Sequence, residues 1–249
     1  MKAMILAAGL GTRLRPLTND RPKALVEVGG RTMLEIALAR LHAFGIREVI
    51  VNTHHFAGMV EEWLRQHGPR DMRIEISHED VLLDTGGGLK HAAWFFQEPG
   101  TEAGEPFLLH NVDVVSTIDF ARMLRAHRAG GALATLAVQD RPTSRPLFFD
   151  QKGELCGRRA GPNGPPEFVR LVAGPLALAF SGIHVISPRI FSLLGEERAF
   201  SIIPAYLRQA VWGESIAAFR AEEYYWRDLG RPEHIEQAAR DIGAGMYPW

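Results

Sequence analysis

The stretch Met4-Ile5-Leu6-Ala7-Ala8-Gly9-Leu10-Gly11-Thr12-Arg13-Leu14-Arg15-Pro16-Leu17-Thr18, followed by Arg21-Pro22-Lys23, decides how the chain is read. Met4-Ile5-Leu6 is a short apolar run stopped by small residues, the pattern of a buried strand entering a loop. Small residues after such a strand let backbone N–H groups approach a ligand closely. Arg13, Arg15 and Lys23 add cations nearby. N–H donors together with guanidinium and ammonium groups are what a polyphosphate needs. Two better-known glycine motifs are excluded. The dinucleotide-binding pattern needs a third glycine where this chain has Leu14, and the Walker pattern needs a Gly-Lys-Ser/Thr string that occurs nowhere in it. A plain strand-to-helix turn would account for a glycine pair, but not for so long and unusual a string.

Working outward, apolar spacing predicts a helix over 32–44 that Gly45 stops, a strand over 48–53, a helix over 59–66 and a strand over 73–77. A helix over 89–96 and a strand over 107–110, leading into Asn111-Val112-Asp113, come next. Then follow a helix over 119–128 capped by Asp119 and a strand over 132–138. Strands alternating with helices imply an α/β fold of three layers, a mainly parallel Rossmann-like sheet with helices on both faces. Ligands of such sheets sit beyond the carboxyl ends of the strands. That rule selects the loops 7–23, 80–88 and 111–116. After residue 140 the texture changes. Residues 141–175 are rich in Pro, Gly and Arg and read as a hairpin or flap insertion. The run 176–186 returns to the sheet. Helices over 188–194 and 202–211, a strand over 216–219 and a helix over 232–242 opened by Pro232 complete the chain. One domain over 1–249 is expected.

Composition narrows the function classes. With 249 residues, 46% hydrophobic, the chain can bury a sizeable core. A formal charge of -1 gives no field for gathering nucleic acid, so no nucleic-acid partner is expected. No apolar run approaches the roughly 18 residues of a membrane span, and the apolar start is too short for a signal peptide. One cysteine, Cys156, leaves no disulfide framework within the chain and suits a reducing compartment, so a cytoplasmic location is expected. Cys156 has no His-paired motif that would make it a nucleophile. The adjacent His54 and His55 would point apart on a strand, and no His-Glu-x-x-His occurs, so zinc is not expected. Trp94-Phe95-Phe96 and Tyr224-Tyr225-Trp226 read as packing residues.

The opening string resembles that of the sugar-1-phosphate nucleotidyltransferase family, and the resemblance runs down the chain. Leu83-Asp84-Thr85-Gly86-Gly87-Gly88 is similar to the family's second nucleotide loop. Phe107 to Asp113 resembles its strand ending in a metal-binding Asp, and Phe180-Ser181-Gly182-Ile183 its sugar-side strand. Trp226-Arg227-Asp228-Leu229-Gly230-Arg231-Pro232-Glu233 resembles its late Trp-x-Asp-Val-Gly-Thr-Pro-Glu segment. Within the family, the short length and the Thr-Gly-Gly-Gly and Phe-Ser-Gly-Ile strings are most like N-acetylmuramate-1-phosphate uridylyltransferases, with heptose- and mannose-1-phosphate guanylyltransferases as relatives. The resemblance implies a GT-A-like fold, with residues 1–140 as the nucleotide-binding half and 141–249 as the sugar-binding half with C-terminal helices.

What the resemblance implies chemically is transfer of a nucleotidyl group from an NTP, UTP by the nearest likeness, to a sugar 1-phosphate such as N-acetylmuramate 1-phosphate. The acceptor oxygen is already anionic, so positioning and charge stabilisation are the whole task. Mg2+ is the implied cofactor, with Asp113 and Asp228 as its ligands. Arg13 and Lys23 are the implied catalytic cations. Leu6, Ala8, Gly9, Gly11, Thr12, Arg13, Thr85 and Gly86 would bind the nucleotide, and Asn111 and Gly182 the sugar. The partners are then an NTP and a sugar 1-phosphate, in a monomer or small homo-oligomer. A guanylyltransferase acting on mannose or heptose 1-phosphate fits the same motifs. A non-catalytic nucleotide-sugar-binding subunit should have lost Arg13, Lys23 or a metal Asp, and this chain retains them all. Two departures stand out. Val112 replaces the usual Gly between Asn and Asp, and 141–175 has no Glu-Lys-Pro lysine for the sugar phosphate, leaving Arg145, Arg158, Arg159 or Arg170 to substitute.

Overall fold

The computed structural model describes residues 1–102, 104–195 and 197–247. Its first strands are β1 (Ala3–Leu6), β2 (Glu27–Val28), β3 (Arg31–Thr32), β4 (Glu48–Thr53), β5 (Arg73–His78), β6 (Phe107–Asn111) and β7 (Val114–Ser116). They continue as β8 (Ala134–Gln139), β9 (Leu147–Phe149), β10 (Leu155–Arg159), β11 (Pro166–Phe168), β12 (Leu176–Ile186), β13 (Ile216–Arg220) and β14 (Trp226–Asp228). The helices are α1 (Met33–Ala43), α2 (Ala57–His67), α3 (Asp84–His91), α4 (Ala93–Phe96), α5 (Phe120–Gly130), α6 (Ile190–Leu193), α7 (Ile202–Val211) and α8 (Pro232–Gly243).

The body of the sheet runs β13-β8-β12-β6-β1-β4-β5. β1 is parallel to β4 and β6, β4 to β5, and β13 to β8. β12 alone breaks the direction, running antiparallel to β6 and β8. Strand alternation splits the core into two layers. Ala3, Ile5, Val49, Val51 and Leu108 face the layer filled by α1, α5 and α8, through residues such as Leu38, Met123 and Ala238. Met4, Ile50 and Leu109 face the opposite layer, filled by α3, α4 and α7 through Leu89, Phe95 and Tyr206. The result is the three-layer, mainly parallel arrangement expected from the alternation of elements. Thr32 and Asp119 start their helices as caps, accepting the N–H groups of Glu35 and Arg122.

The structure departs from the expected elements in two places. The glycine run 86–88, read as a loop, lies inside α3, and the helix expected over 89–96 is divided into α3 and α4. The reason is packing against the segment that leads into α7. A Cβ on Gly86 would stand 2.3 Å from a Phe200 ring carbon, and one on Gly87 would stand 2.4 Å from the Arg198 carbonyl oxygen. Residues 141–175, expected as a hairpin or flap insertion, take the hairpin form and are continuous with the sheet. β9, β10 and β11 form an antiparallel meander joined to the main sheet by Leu176 to Leu178 of β12. His54 and His55 lie past the end of β4, where His54 Nδ1 sits 2.7 Å from the Glu79 carbonyl oxygen. Among the described residues, no helix is long and apolar enough to cross a membrane.

Two histidines are sealed in the strands. Burial pulls His110 down to about 4 and His184 to about 3, so both are neutral in the folded protein. The unfolded chain takes up protons near the ordinary histidine value and the folded chain does not. The stability these residues contribute is therefore complete above that value and is lost as pH falls toward 4, at up to about 1.4 kcal/mol per pH unit for each. Thermal melts at pH of about 7.5 and about 5 are expected to show a drop of at least about 5 °C at the lower pH. An unchanged melting temperature would contradict the neutral, buried assignment.

Candidate active site

The carboxyl ends of β1, β4 and β6 open onto a pocket of about 300 Å³ lined by residues 6–9, Lys23, Asn52, Glu79, Leu82, Asp84, Thr85 and Asn111 to Asp113. Its floor is a buried polar pair. Asn52 Oδ1 accepts the N–H groups of Ala7 and Ala8, at 2.7 and 3.3 Å. Asn52 Nδ2 donates to Glu79 Oε1 at 2.6 Å, and Glu79 Oε2 accepts the Leu83 N–H at 2.9 Å. Three loops are thus held by one pair that is almost wholly out of solvent. Gly88 makes room for it, since a Cβ there would come 2.6 Å from Glu79 Oε1. The cost of burying these groups is met because each has its partner.

Past the small residues the chain turns at Gly11, whose φ of 64° and contact with Thr18 exclude a side chain. The Thr18 hydroxyl closes this turn by donating to the Gly11 carbonyl at 2.9 Å. Lys23 is buried and forms an ion pair with Asp113. Asp113 lies between β6 and β7, and β7 pairs antiparallel with β14, placing Asp228 opposite Val114. The Leu229 N–H donates to the Asp113 carbonyl at 2.8 Å, so the two aspartates are neighbours across the ladder. Asp228 Oδ1 accepts the Gly230 N–H at 2.9 Å. A Cβ on Gly230 would stand 2.8 Å from both that oxygen and Arg13 Nη2, which puts the exposed Arg13 guanidinium beside Asp228.

Of the residues expected at the site, Leu6, Ala8, Gly9, Lys23, Thr85, Asn111 and Asp113 line this pocket. Gly11, Thr12 and Arg13 follow in the adjoining turn, and Asp228 joins through β14. Gly86 and Gly182 do other work. The Gly86 N–H is given to the Phe200 carbonyl at 2.9 Å, so it is not open to a nucleotide. Gly182 has φ of 75° in a bulge of β12, and a Cβ there would come 2.9 Å from both Asn111 Nδ2 and Val114 Cγ2. The absence of a side chain at Gly182 therefore lets Asn111 and Val114 pack against its backbone. The Thr85 hydroxyl accepts the Ile202 N–H at 3.0 Å. Val112 is buried with the apolar residues of the α1 face, and its N–H donates to the Leu6 carbonyl at 3.1 Å.

No group of three or more His, Cys, Asp or Glu able to enclose a metal occurs among the described residues. Asp113, which lines the pocket, and Asp228, its neighbour across the β7–β14 ladder, supply two carboxylates. That is the incomplete protein set that suits Mg2+, which keeps waters and takes phosphate oxygens as its remaining ligands. The residues present fit such an ion.

A nucleotidyl transferase family signature matches residues 2–148. The chain belongs to that family. It is 36% identical over 247 residues to the N-acetylmuramate alpha-1-phosphate uridylyltransferase of Caulobacter vibrioides, covering 93% of this chain and 92% of that one. It is 34% identical to the mannose-1-phosphate guanylyltransferase catalytic subunit beta of Dictyostelium discoideum, covering 99% of this chain but only 64% of that longer relative. The fold matches the crystal structure of HddC from Yersinia pseudotuberculosis, complexed with GMP-PN, with a TM-score of 0.77 at 20% identity, over 97% of this chain and 99% of that one. These relatives place the nucleotidyltransferase among the sugar-1-phosphate nucleotidyltransferases.

Sequence reading missed four parts of this nucleotidyltransferase's pocket and its rim. Asn52 fell inside the strand expected over 48–53, and Glu79 was given no role of its own beside the loop 80–88. A polar residue near the carboxyl end of a buried strand was the available signal for Asn52. Asp84 lines the pocket with φ of 60°, its carboxylate accepting the Thr85 N–H at 2.6 Å. Arg141 was read as the first residue of a flap, yet its guanidinium carbon lies 3.6 Å from the centre of the Trp226 ring. Asn52→Ala is expected to destabilise the fold by about 2–3 kcal/mol, because Ala7, Ala8 and Glu79 all lose a buried partner. It should also weaken NTP binding at least about tenfold, measured by titration calorimetry beside chemical denaturation. Unchanged NTP affinity in a destabilised variant would separate the loop's geometry from nucleotide binding.

Proposed function

We propose that this chain transfers a uridylyl group from UTP to N-acetylmuramate 1-phosphate, with Mg2+ held by Asp113 and Asp228. The observation that carries the reaction is the convergence of the small-residue loop, Lys23 and the two aspartates at the carboxyl ends of the parallel strands. An oxygen of the acceptor phosphate attacks the α-phosphorus of the NTP. A new P–O bond forms, the bond to the bridging oxygen of the β-phosphate breaks, and pyrophosphate leaves. No proton need be removed from the nucleophile, so a general base is not part of the scheme.

The protein's task is to hold two anions together in line. Ala8 and Gly9 offer close backbone approach to the nucleotide. Lys23, released from Asp113 as phosphate arrives, lies where charge near the α-phosphate needs a cation. Arg13 is the candidate for the departing pyrophosphate. The bound ion would offset phosphate charge and draw electron density from the α-phosphorus.

Support for the uridylyl reading is the match to the Caulobacter uridylyltransferase along nearly the full length of both chains. The Dictyostelium relative, at 34% identity, keeps guanylyl transfer to mannose 1-phosphate as the second reading. Purified protein with Mg2+, each NTP in turn and a panel of sugar 1-phosphates separates the two, with pyrophosphate release and product mass as readouts. UTP with N-acetylmuramate 1-phosphate is expected to exceed GTP with any acceptor by at least about tenfold in kcat/KM. Faster turnover of GTP with mannose 1-phosphate would replace the substrate assignment. No pyrophosphate from any pair would overturn the reaction.

A further inference from the structure

Arg141 follows the end of β8 and is half-buried. Its guanidinium lies flat against Trp226, and its Nη2 donates to the Phe180 carbonyl at 2.9 Å. The Trp226 indole N–H donates to the next carbonyl, that of Ser181, at 2.7 Å. Ring and guanidinium are thus both fastened to the bulge of β12. Trp226 and Asp228 alternate on β14 and share one face of it. The bulge also carries Gly182, against which the pocket residue Asn111 is packed. Arg141 therefore stands at the β12 side of the site, on the face that presents Asp228.

Its charge is under-used. Nε is buried with no hydrogen-bond partner, and no ion pair engages the guanidinium among the described residues. Burial pulls its pKa below the usual arginine value, with Asp228 acting the other way. Holding a partly desolvated cation with an open donor is costly, and a stack on tryptophan recovers only part of that cost. Two arginines further along this segment are held away from Trp226, and Arg170 shares with Arg141 a buried Nε without a hydrogen-bond partner. Arg158 is paired with Glu167 at 2.9 Å, and Arg170 donates to the Leu155 carbonyl at 2.8 Å.

We propose that Arg141 binds a phosphate oxygen of the sugar 1-phosphate acceptor. The inference rests on the nucleotidyl-transfer reading, because that reaction brings a second anion to this side of the site. A planar guanidinium fixed by a ring and a carbonyl offers oriented donors, so it positions the attacking phosphate as well as neutralising it.

The test compares the unaltered protein with Arg141→Gln and Arg141→Lys. Acceptor binding is measured by calorimetry with N-acetylglucosamine 1-phosphate and N-acetylmuramate 1-phosphate, and KM values for acceptor and UTP are measured in turnover. Arg141→Gln is expected to weaken binding of both acceptors, and raise both KM values, at least about tenfold, leaving the UTP KM within about twofold. Arg141→Lys keeps the charge without the flat stack and is expected to lose less. If the glutamine variant does not fold, the lysine variant decides, by weaker acceptor binding at unchanged UTP binding. Equal acceptor affinity in variant and unaltered protein overturns the proposal. A loss confined to the carboxylate-bearing muramate acceptor also overturns it, since Arg141 would then serve the lactyl carboxylate. An unaltered protein that binds no acceptor overturns it too. One that binds acceptor but turns nothing over fails the reaction, while the binding comparison still judges Arg141.

Discussion

The hydrogen bond from the Leu229 N–H to the Asp113 carbonyl, with the short ladder of β7 and β14 around it, brings the far end of the chain onto the first half of the fold. Asp113 reaches its position from the central strand β6, which β1 flanks on one side and β12 on the other. Asp228 has no such central strand. It is held by β14 and by the N–H of Gly230, and His234 at the start of α8 lies 2.9 Å from its carbonyl oxygen. Each aspartate has a cation at hand, Lys23 in an ion pair with Asp113 and the Arg13 guanidinium beside Asp228. A triphosphate and a divalent ion would rearrange these same four charges.

A second constraint sits beneath the first. The pair Asn52–Glu79 ties the small-residue loop, the ends of β4 and β5 and the start of α3 into one unit. None of those segments could keep its backbone donors satisfied alone at that depth. Glycine enters here through space more than through flexibility. Gly88 yields to the Glu79 carboxylate, Gly86 to Phe200, and Gly182 to the Asn111 amide. The pocket is thus preorganised by contacts made behind it, the condition under which positioning contributes to rate.

Much of this was legible in the residues. Continuous apolar runs in β1, β4 and β6, with helices between them, announced a parallel sheet, and the sheet's geometry then pointed to its carboxyl ends. Lys23 and Asp113 could be named because local strings carry them. What could not be read is what depends on contacts between distant segments. The glycines of α3 spell a loop when read alone and are helical because the segment entering α7 presses on them. The packing of Asn111 against Gly182 joins residues far apart in sequence and shows only in the fold. Asn52, Glu79 and Arg141 lie in no recognisable motif, and only the fold gives them partners. The pairing of β14 with β7 involves strands of three residues each, too short to register as a periodic signal.

Asp113 and Asp228 act as one site although 114 residues of sequence separate them. A double-mutant cycle on kcat/KM with Asp113→Asn, Asp228→Asn and the double variant tests this directly. If they act together, each single change should cost at least about a hundredfold, and the double should cost little more than either alone. Losses that simply add, or full activity in one single variant, would show that the two carboxylates work separately.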